Sequence, residues 1–197
     1  MFEFHKNRKQ YFDMQMNNAA QFVIPFIEQK ISITPGMQVL EIGCGEGGVL
    51  KAFINKGCLG VGVELDESRL VNAREWLRED IDANKIQFIS KDIYQVKPAI
   101  EFPSLFDIIV LKDVIEHIHD QKKLMGWMQQ FLKPGGAIYF GFPPWQMPFG
   151  GHQQLCTNSL LSKLPYYHLL PTFLYKFILS SAKQPVADLL EIKETGI

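Results

Sequence analysis

The sequence predicts an α/β fold around a doubly wound, mostly parallel sheet, and three observations predict it. Apolar runs of strand length alternate with helical periodicity through residues 37–143. The first run, Val39–Ile42, leads directly into a glycine cluster, Gly43-Cys44-Gly45-Glu46-Gly47-Gly48. The second, Leu59–Val63, ends on Glu64, nineteen residues after Gly45. A strand, a glycine loop, a helix and a strand ending in a carboxylate form a half-site for an adenosine-containing cofactor.

The elements follow in order. In residues 1–36, Phe12, Met16, Ala19, Ala20, Val23 and Phe26-Ile27 recur at helical spacing. Pro25 kinks or restarts that helix, and Thr34-Pro35-Gly36 is a turn. The first core helix is expected over Glu46–Lys56, stopped by Gly57. A second is expected over Ser68–Ala83, with Asp66 or Ser68 as N-cap. Ile86–Ser90 is the third strand. Phe106–Leu111 is the fourth, with the continuous apolar run of a strand buried on both faces. A helix over Gln121–Leu132 turns Leu124, Met128 and Phe131 inward. Lys133-Pro134-Gly135-Gly136 stops it, and Ala137–Phe142 is the fifth strand.

Beyond Phe142 the texture changes. Pro143, Pro144 and Pro148 with Gly150-Gly151 make a loop. Leu160–Ser181 is amphipathic and aromatic but broken by Pro165 and Pro171; Leu174–Leu179 has helical spacing, and Val186–Ile192 reads as one more helix. The expected organisation is a helical segment at 1–36, a core at 37–143 and a helical cap or lid at 144–197.

Bulk properties narrow the classes. An apolar content of 47% in 197 residues supports a sizeable core. A net charge of −1 gives no compositional sign of a nucleic-acid face. Cys44, Cys58 and Cys156 lack metal or redox spacing, which fits a reducing cytoplasm. No apolar run reaches the length of a membrane span.

In a parallel sheet, ligands bind at the carboxyl ends of the strands. Glu64, Asp92 and Lys112-Asp113 all stand at such ends. The glycine cluster satisfies G-x-G-x-x-G, so a nicotinamide-dependent oxidoreductase is an alternative. A pyrophosphate, however, gains nothing from carboxylates beside it at Glu41 and Glu46, whereas a sulfonium with an amino-acid tail can use them.

At these residues the chain resembles the class I S-adenosylmethionine (SAM) dependent methyltransferases. Glu41-Ile42-Gly43-Cys44-Gly45-Glu46-Gly47 resembles the first motif of that family, and Gly62-Val63-Glu64 its ribose-binding strand end. Ser90-Lys91-Asp92-Ile93 is similar to the adenine-binding segment, Leu111–Ile118 to the segment after strand 4, and Leu132–Gly136 to the turn before strand 5. The resemblance implies a Rossmann-like fold with SAM as cofactor. Glu64 would accept from both ribose hydroxyls, and Leu65 and Ile93 would sandwich the adenine. Asp92 would accept from the adenine amine, or else cap a helix. The backbones of Gly43, Cys44 and Gly45 would approach the methionine moiety. Glu41 and the Lys112 carbonyl, beside Asp113, would face its ammonium. The acceptor is expected to be a small molecule, lipid-like in one reading, methylated on oxygen, with carbon or nitrogen as alternatives. A SAM-binding scaffold without turnover is the alternative from another class.

A hydroxyl acceptor needs a base. Glu116, His117 and His152 are the candidates, with Asp113 and His119 nearby in sequence. The spacing of Asp113, Glu116, His117 and His152 also resembles the metal cluster of small-RNA 2′-O-methyltransferases. The match is partial, and no metal is expected. Sheets of the family carry two further strands in a C-terminal hairpin, which is not recognisable here. The expectation is therefore a shortened chain, or a homodimer covering the edge of strand 5.

Overall fold

A computed structural model describes residues 7–102, 104–118, 120–150, 156, 158 and 160–181. The chain divides into two units: Phe4–Ile115 with Asp120–Gly141, and Glu116–His119 with Phe142–Ile197 and Met1–Glu3.

The larger unit holds a five-stranded parallel sheet: β1 (Gln38–Ile42), β2 (Leu59–Glu64), β3 (Ile86–Ser90), β4 (Phe106–Lys112) and β5 (Leu132–Gly141), in the spatial order β3-β2-β1-β4-β5. The order reverses between β1 and β4, and in sheets of this kind ligands bind outside the carboxyl ends of the strands at that switch point. The central strands are covered on both faces. Val39, Leu40, Ile108, Ile109, Val110 and Leu111 are all buried, as continuous apolar runs in a parallel sheet require.

The N-terminal helix is α1 (Arg8–Asn18), a π-helical stretch over Ala19–Val23, then α2 (Ile24–Glu28). The π stretch is the form taken by the expected kink. Pro25 has no N–H to donate, and the Ile24 N–H reaches back five residues to the Ala19 carbonyl. Phe12 lies in one core cluster with Val49 and Phe53 of α3 (Gly48–Asn55). A methyl on Gly48 would stand 2.6 Å from the Phe12 carbonyl, so α1 crosses the start of α3 at backbone distance.

Several boundaries differ from expectation. α3 starts at Gly48, not Glu46, because the Gly47 N–H turns back to the Cys44 carbonyl at 2.8 Å and Glu46 is held by Arg8. The helix expected over 68–83 is two helices, α4 (Glu67–Trp76) and α5 (Arg78–Asp82), divided at Leu77 where ψ rises to 19°. Asp66 caps α4, accepting from the Ser68 N–H at 2.9 Å. The α6 turn (Pro98–Glu101) was not expected. α7 (Gln121–Met128) ends four residues early. β5 pairs Leu132 with Phe106 and Ala137 with Ile108, so residues 133–136 bulge opposite Asp107 alone. The expected Lys133–Gly136 turn is this bulge, inside the strand.

In the smaller unit, Cys156, Tyr167, Tyr175 and Leu179 form an apolar core, with Leu161 and Leu170 against it. Its helix α8 (Thr172–Ser181) follows Pro171, and the prolines confine the preceding chain to short 3-10 turns. Among the described residues no strand follows β5. The expected helix at 186–192 lies outside them.

Asp107 ties three segments together. Its Oδ2 accepts from the Gln38 N–H at 2.7 Å and from Lys133 Nζ at 2.8 Å, joining the start of β1 to the bulge in β5. Asp107→Ala is expected to cost roughly 2 kcal/mol, since it removes a charged acceptor from a half-buried amide. Lys133→Met removes only a partly exposed ion pair and should cost less than about 1 kcal/mol. Urea denaturation of both variants checks the ordering.

Candidate functional site

The glycine loop leaves β1 at Gly43 and is stitched to the end of β2. The Val63 carbonyl accepts from the Gly43 N–H at 2.8 Å and the Cys44 N–H at 3.2 Å. Glu64, the next residue, accepts from three backbone amides. Gly45 N–H donates to Oε2 at 2.8 Å; Leu65 and Asp66 N–H donate to Oε1 at 2.8 and 3.0 Å. A carboxylate offers about four acceptor directions. Three are filled from the backbone, which leaves about one, on Oε2, for an incoming hydroxyl rather than two.

Glu41 lies on β1, 3% exposed. Its Oε2 accepts from the Leu50 N–H at 3.1 Å, in the first turn of α3. Burial pushes its carboxyl up to about 8, and Glu64 adds to the rise; the Leu50 bond and Lys112 pull the other way. Glu41 thus anchors the helix that follows the glycine loop, a contact the sequence did not reveal. Cys44 is buried, and its thiol is pushed far up by that burial and by Glu41 and Glu64, so it stays protonated at neutral pH.

The glycines answer to the protein first. A Cβ on Gly43 (φ +71°) would lie 2.4 Å from Val114 Cγ2. Val114 gets there because Asp113 turns the chain with φ +57° after β4, a conformation Asp tolerates better than most residues. The Asp113 N–H donates to the Gly141 carbonyl, and its Oδ2 pairs with Lys112 Nζ at 2.6 Å. A Cβ on Gly45 would meet only Arg69, at 3.4 Å, so that face of the loop is the one a ligand can approach.

At the neighbouring strand ends, Leu65 is 72% exposed, an apolar platform beyond Glu64, while Ile93 is buried. Asp92 Oδ1 accepts from the Tyr94 N–H at 2.8 Å and caps the 3-10 turn Ile93–Gln95. The capping role weighed for Asp92 is therefore real, and it occupies one oxygen of two. Arg8, whose Nη1 pairs with the buried Glu46 Oε1 at 3.2 Å, is a loop-holding residue that the sequence did not flag. A pair thirty-eight residues apart leaves no local pattern.

Glu116 and His117 sit on the 3-10 turn Ile115–His117. Glu116 Oε2 is buried with no hydrogen-bond partner among the described residues, and the His117 side is exposed. His152 and His119 lie outside the described residues. Among the described residues no three acidic, His or Cys side chains cluster to hold a metal.

The sheet order and the loop after β1 define a Rossmann-like class of domain. The model of the methyltransferase domain family matches residues 12–157, and the chain belongs to that family. Among curated relatives it is 26% identical over 118 residues to a ubiquinone biosynthesis O-methyltransferase of Pseudomonas entomophila, covering 59% of this chain and 48% of the relative. It is 28% identical over 122 residues to one of Coxiella burnetii, covering 59% and 47%. The chain spans about half the length of these curated relatives. Among solved structures, a SAM-dependent methyltransferase from Clostridium acetobutylicum aligns with a TM-score of 0.54 at 21% identity, over 66% of this chain and 51% of that one. One from Geobacter sulfurreducens in complex with S-adenosyl-L-homocysteine gives 0.50 at 21%, over 64% and 49%. At that identity the likeness is one of fold.

Unfolded, the Glu41 carboxyl ionises near its ordinary 4.5; folded, it holds its proton to about 8. The folded chain binds the extra proton between those values, so this group's contribution to stability falls as pH rises through that window. Glu41→Gln keeps an acceptor for Leu50 and has nothing to ionise. Urea denaturation from pH 5 to 9 should show a shallower decline for the variant. Above pH 8 it should exceed wild type by on the order of 3 kcal/mol.

Proposed function

We propose that the chain binds SAM at the carboxyl ends of β1, β2 and β3 and transfers its methyl group to a small-molecule acceptor, on oxygen. The observation that carries this reading is the fixed Glu64 carboxylate beside the open face of Gly45. Family membership and O-methyltransferase relatives support it. A nucleoside hydroxyl would take the remaining direction on Glu64 Oε2, and Leu65 would lie against the base, with Ile93 behind it and Asp92 Oδ2 toward its amine. The cofactor supplies an electrophilic methyl on a sulfonium, so the protein's task is mainly alignment, worth on the order of 7–11 kcal/mol. Gly43, Cys44 and Gly45 give the amino-acid tail a backbone surface. Glu41, with Lys112 and Asp113 at the end of β4, sets the charge around its ammonium.

On the acceptor side, Glu116, His117 and His152 are the residues we assign to proton removal. The buried, unpartnered Glu116 Oε2 supports this. A lipid-like acceptor is consistent with the named activity of the relatives. A cytoplasmic location is supported by three cysteines that are free and buried. Among the described residues no helix is long and apolar enough to cross a membrane. A homodimer across the β5 edge is part of the same reading, since among the described residues β5 pairs with β4 alone.

S-adenosylhomocysteine should bind with a Kd of about 1–10 μM by calorimetry, and NADH should give no heat. Glu64→Ala should weaken binding about 10–100-fold, from the loss of charged hydrogen bonds to ligand and loop. Tight NADH binding, or an indifferent Glu64→Ala, would overturn the assignment. S-Adenosylhomocysteine binding without turnover of SAM over a broad acceptor panel would favour a scaffold role.

With an acceptor in hand, His117→Gln should lower kcat about 100-fold at neutral pH. Its affinity for S-adenosylhomocysteine should match wild type. An unchanged kcat would remove His117 from the chemistry.

A further inference from the structure

The acidic residues are unevenly spread. From Phe142 to Ala187, a stretch of the smaller unit, the sequence has no Asp or Glu and three lysines, at 163, 176 and 183, in a chain whose net charge is −1. Lys163 and Lys176 stand in the described part of the smaller unit, so nothing in their own stretch of chain offsets their charge.

The same unit keeps large apolar side chains outside its core. Tyr175 and Leu179 of α8 are buried, yet Phe173 and Phe177, one turn apart on the helix, are 71% and 69% exposed. Lys176 lies between them in sequence. Leu161 and Leu170 pack on the core, while their neighbours Leu160 and Leu169 are exposed, Leu160 by 80%. A helix of a small unit needs one apolar stripe to pack; α8 has two. Single exposed apolar residues are ordinary, but a run of this density marks an interaction surface.

We propose that the smaller unit docks through these exposed side chains on the surface of a lipid bilayer rich in anionic headgroups. Phe173 and Phe177 enter the boundary between headgroups and acyl chains, and Lys163 and Lys176 lie at the level of the phosphates. Acid-free chain with lysines beside exposed Phe and Leu is complementary to such a surface in charge and in polarity. Nucleic acid would take the lysines but gain nothing from exposed leucines. A binding mode that lies on the bilayer needs no spanning helix. The proposal is independent of methyl transfer, because vesicle binding is read without cofactor or acceptor.

The test is cosedimentation of the full chain with vesicles of phosphatidylcholine alone or mixed with phosphatidylglycerol. The chain should bind the anionic vesicles at least about tenfold more tightly, and added salt should weaken that binding. Phe173→Ser/Phe177→Ser and, separately, Lys163→Glu/Lys176→Glu should each weaken it about tenfold or more. All four positions lie outside the buried core, so circular dichroism and S-adenosylhomocysteine affinity should match wild type. No binding to either vesicle, binding indifferent to salt, or variants that bind like wild type would overturn the proposal. So would light scattering that finds a dimer lost in Phe173→Ser/Phe177→Ser, with no vesicle binding by wild type.

Discussion

The Glu64 carboxylate is the fixed point of this site. It gathers the amides of Gly45, Leu65 and Asp66 within 2.8–3.0 Å, and so binds the glycine loop after β1 to the chain leaving β2. Hydrogen bonds to a charged acceptor contribute more than neutral ones. Two further amides of the loop end on the Val63 carbonyl. The loop is therefore shaped by the protein's own hydrogen bonds, and a ligand docking on it would need to order little of it.

Around that point, each strand end contributes a different constraint. Glu41 is buried at the end of β1 and holds the first turn of α3 through Leu50. Burial keeps it largely protonated at neutral pH, so it acts first as a structural acceptor. A cation bound beside it would draw its proton off. Val114, delivered by the left-handed turn at Asp113, fills the space where Gly43 lacks a side chain. Arg8 reaches from α1 to Glu46. Helix α1 thus belongs to the unit that carries the glycine loop.

The sheet was legible in the sequence because its signals are local. Apolar runs of strand length placed all five strands, and the glycine cluster and Glu64 marked the loop and the strand end that the fold brings together. Misplaced boundaries came where distant residues intervene. Glu46 leaves the expected helix because of Arg8, and residues 133–136 join β5 as a bulge because Asp107 anchors Lys133. The roles of Arg8 and Val114, and the Leu50 bond of Glu41, depend on pairs that no spacing rule links. Asp92 carried both of its readings in the sequence, and its cap on Tyr94 became visible only with the backbone geometry.

The central claim is that the ends of β1, β2 and β3 form one nucleoside site on a preshaped loop. Amide chemical shifts recorded while S-adenosylhomocysteine is added test it most directly. The account predicts saturable shifts concentrated at Gly43, Gly45, Leu65 and Ile93, with the amides of α5 and α6 unmoved. Shifts absent at saturating ligand, or confined to residues away from these strand ends, would contradict it.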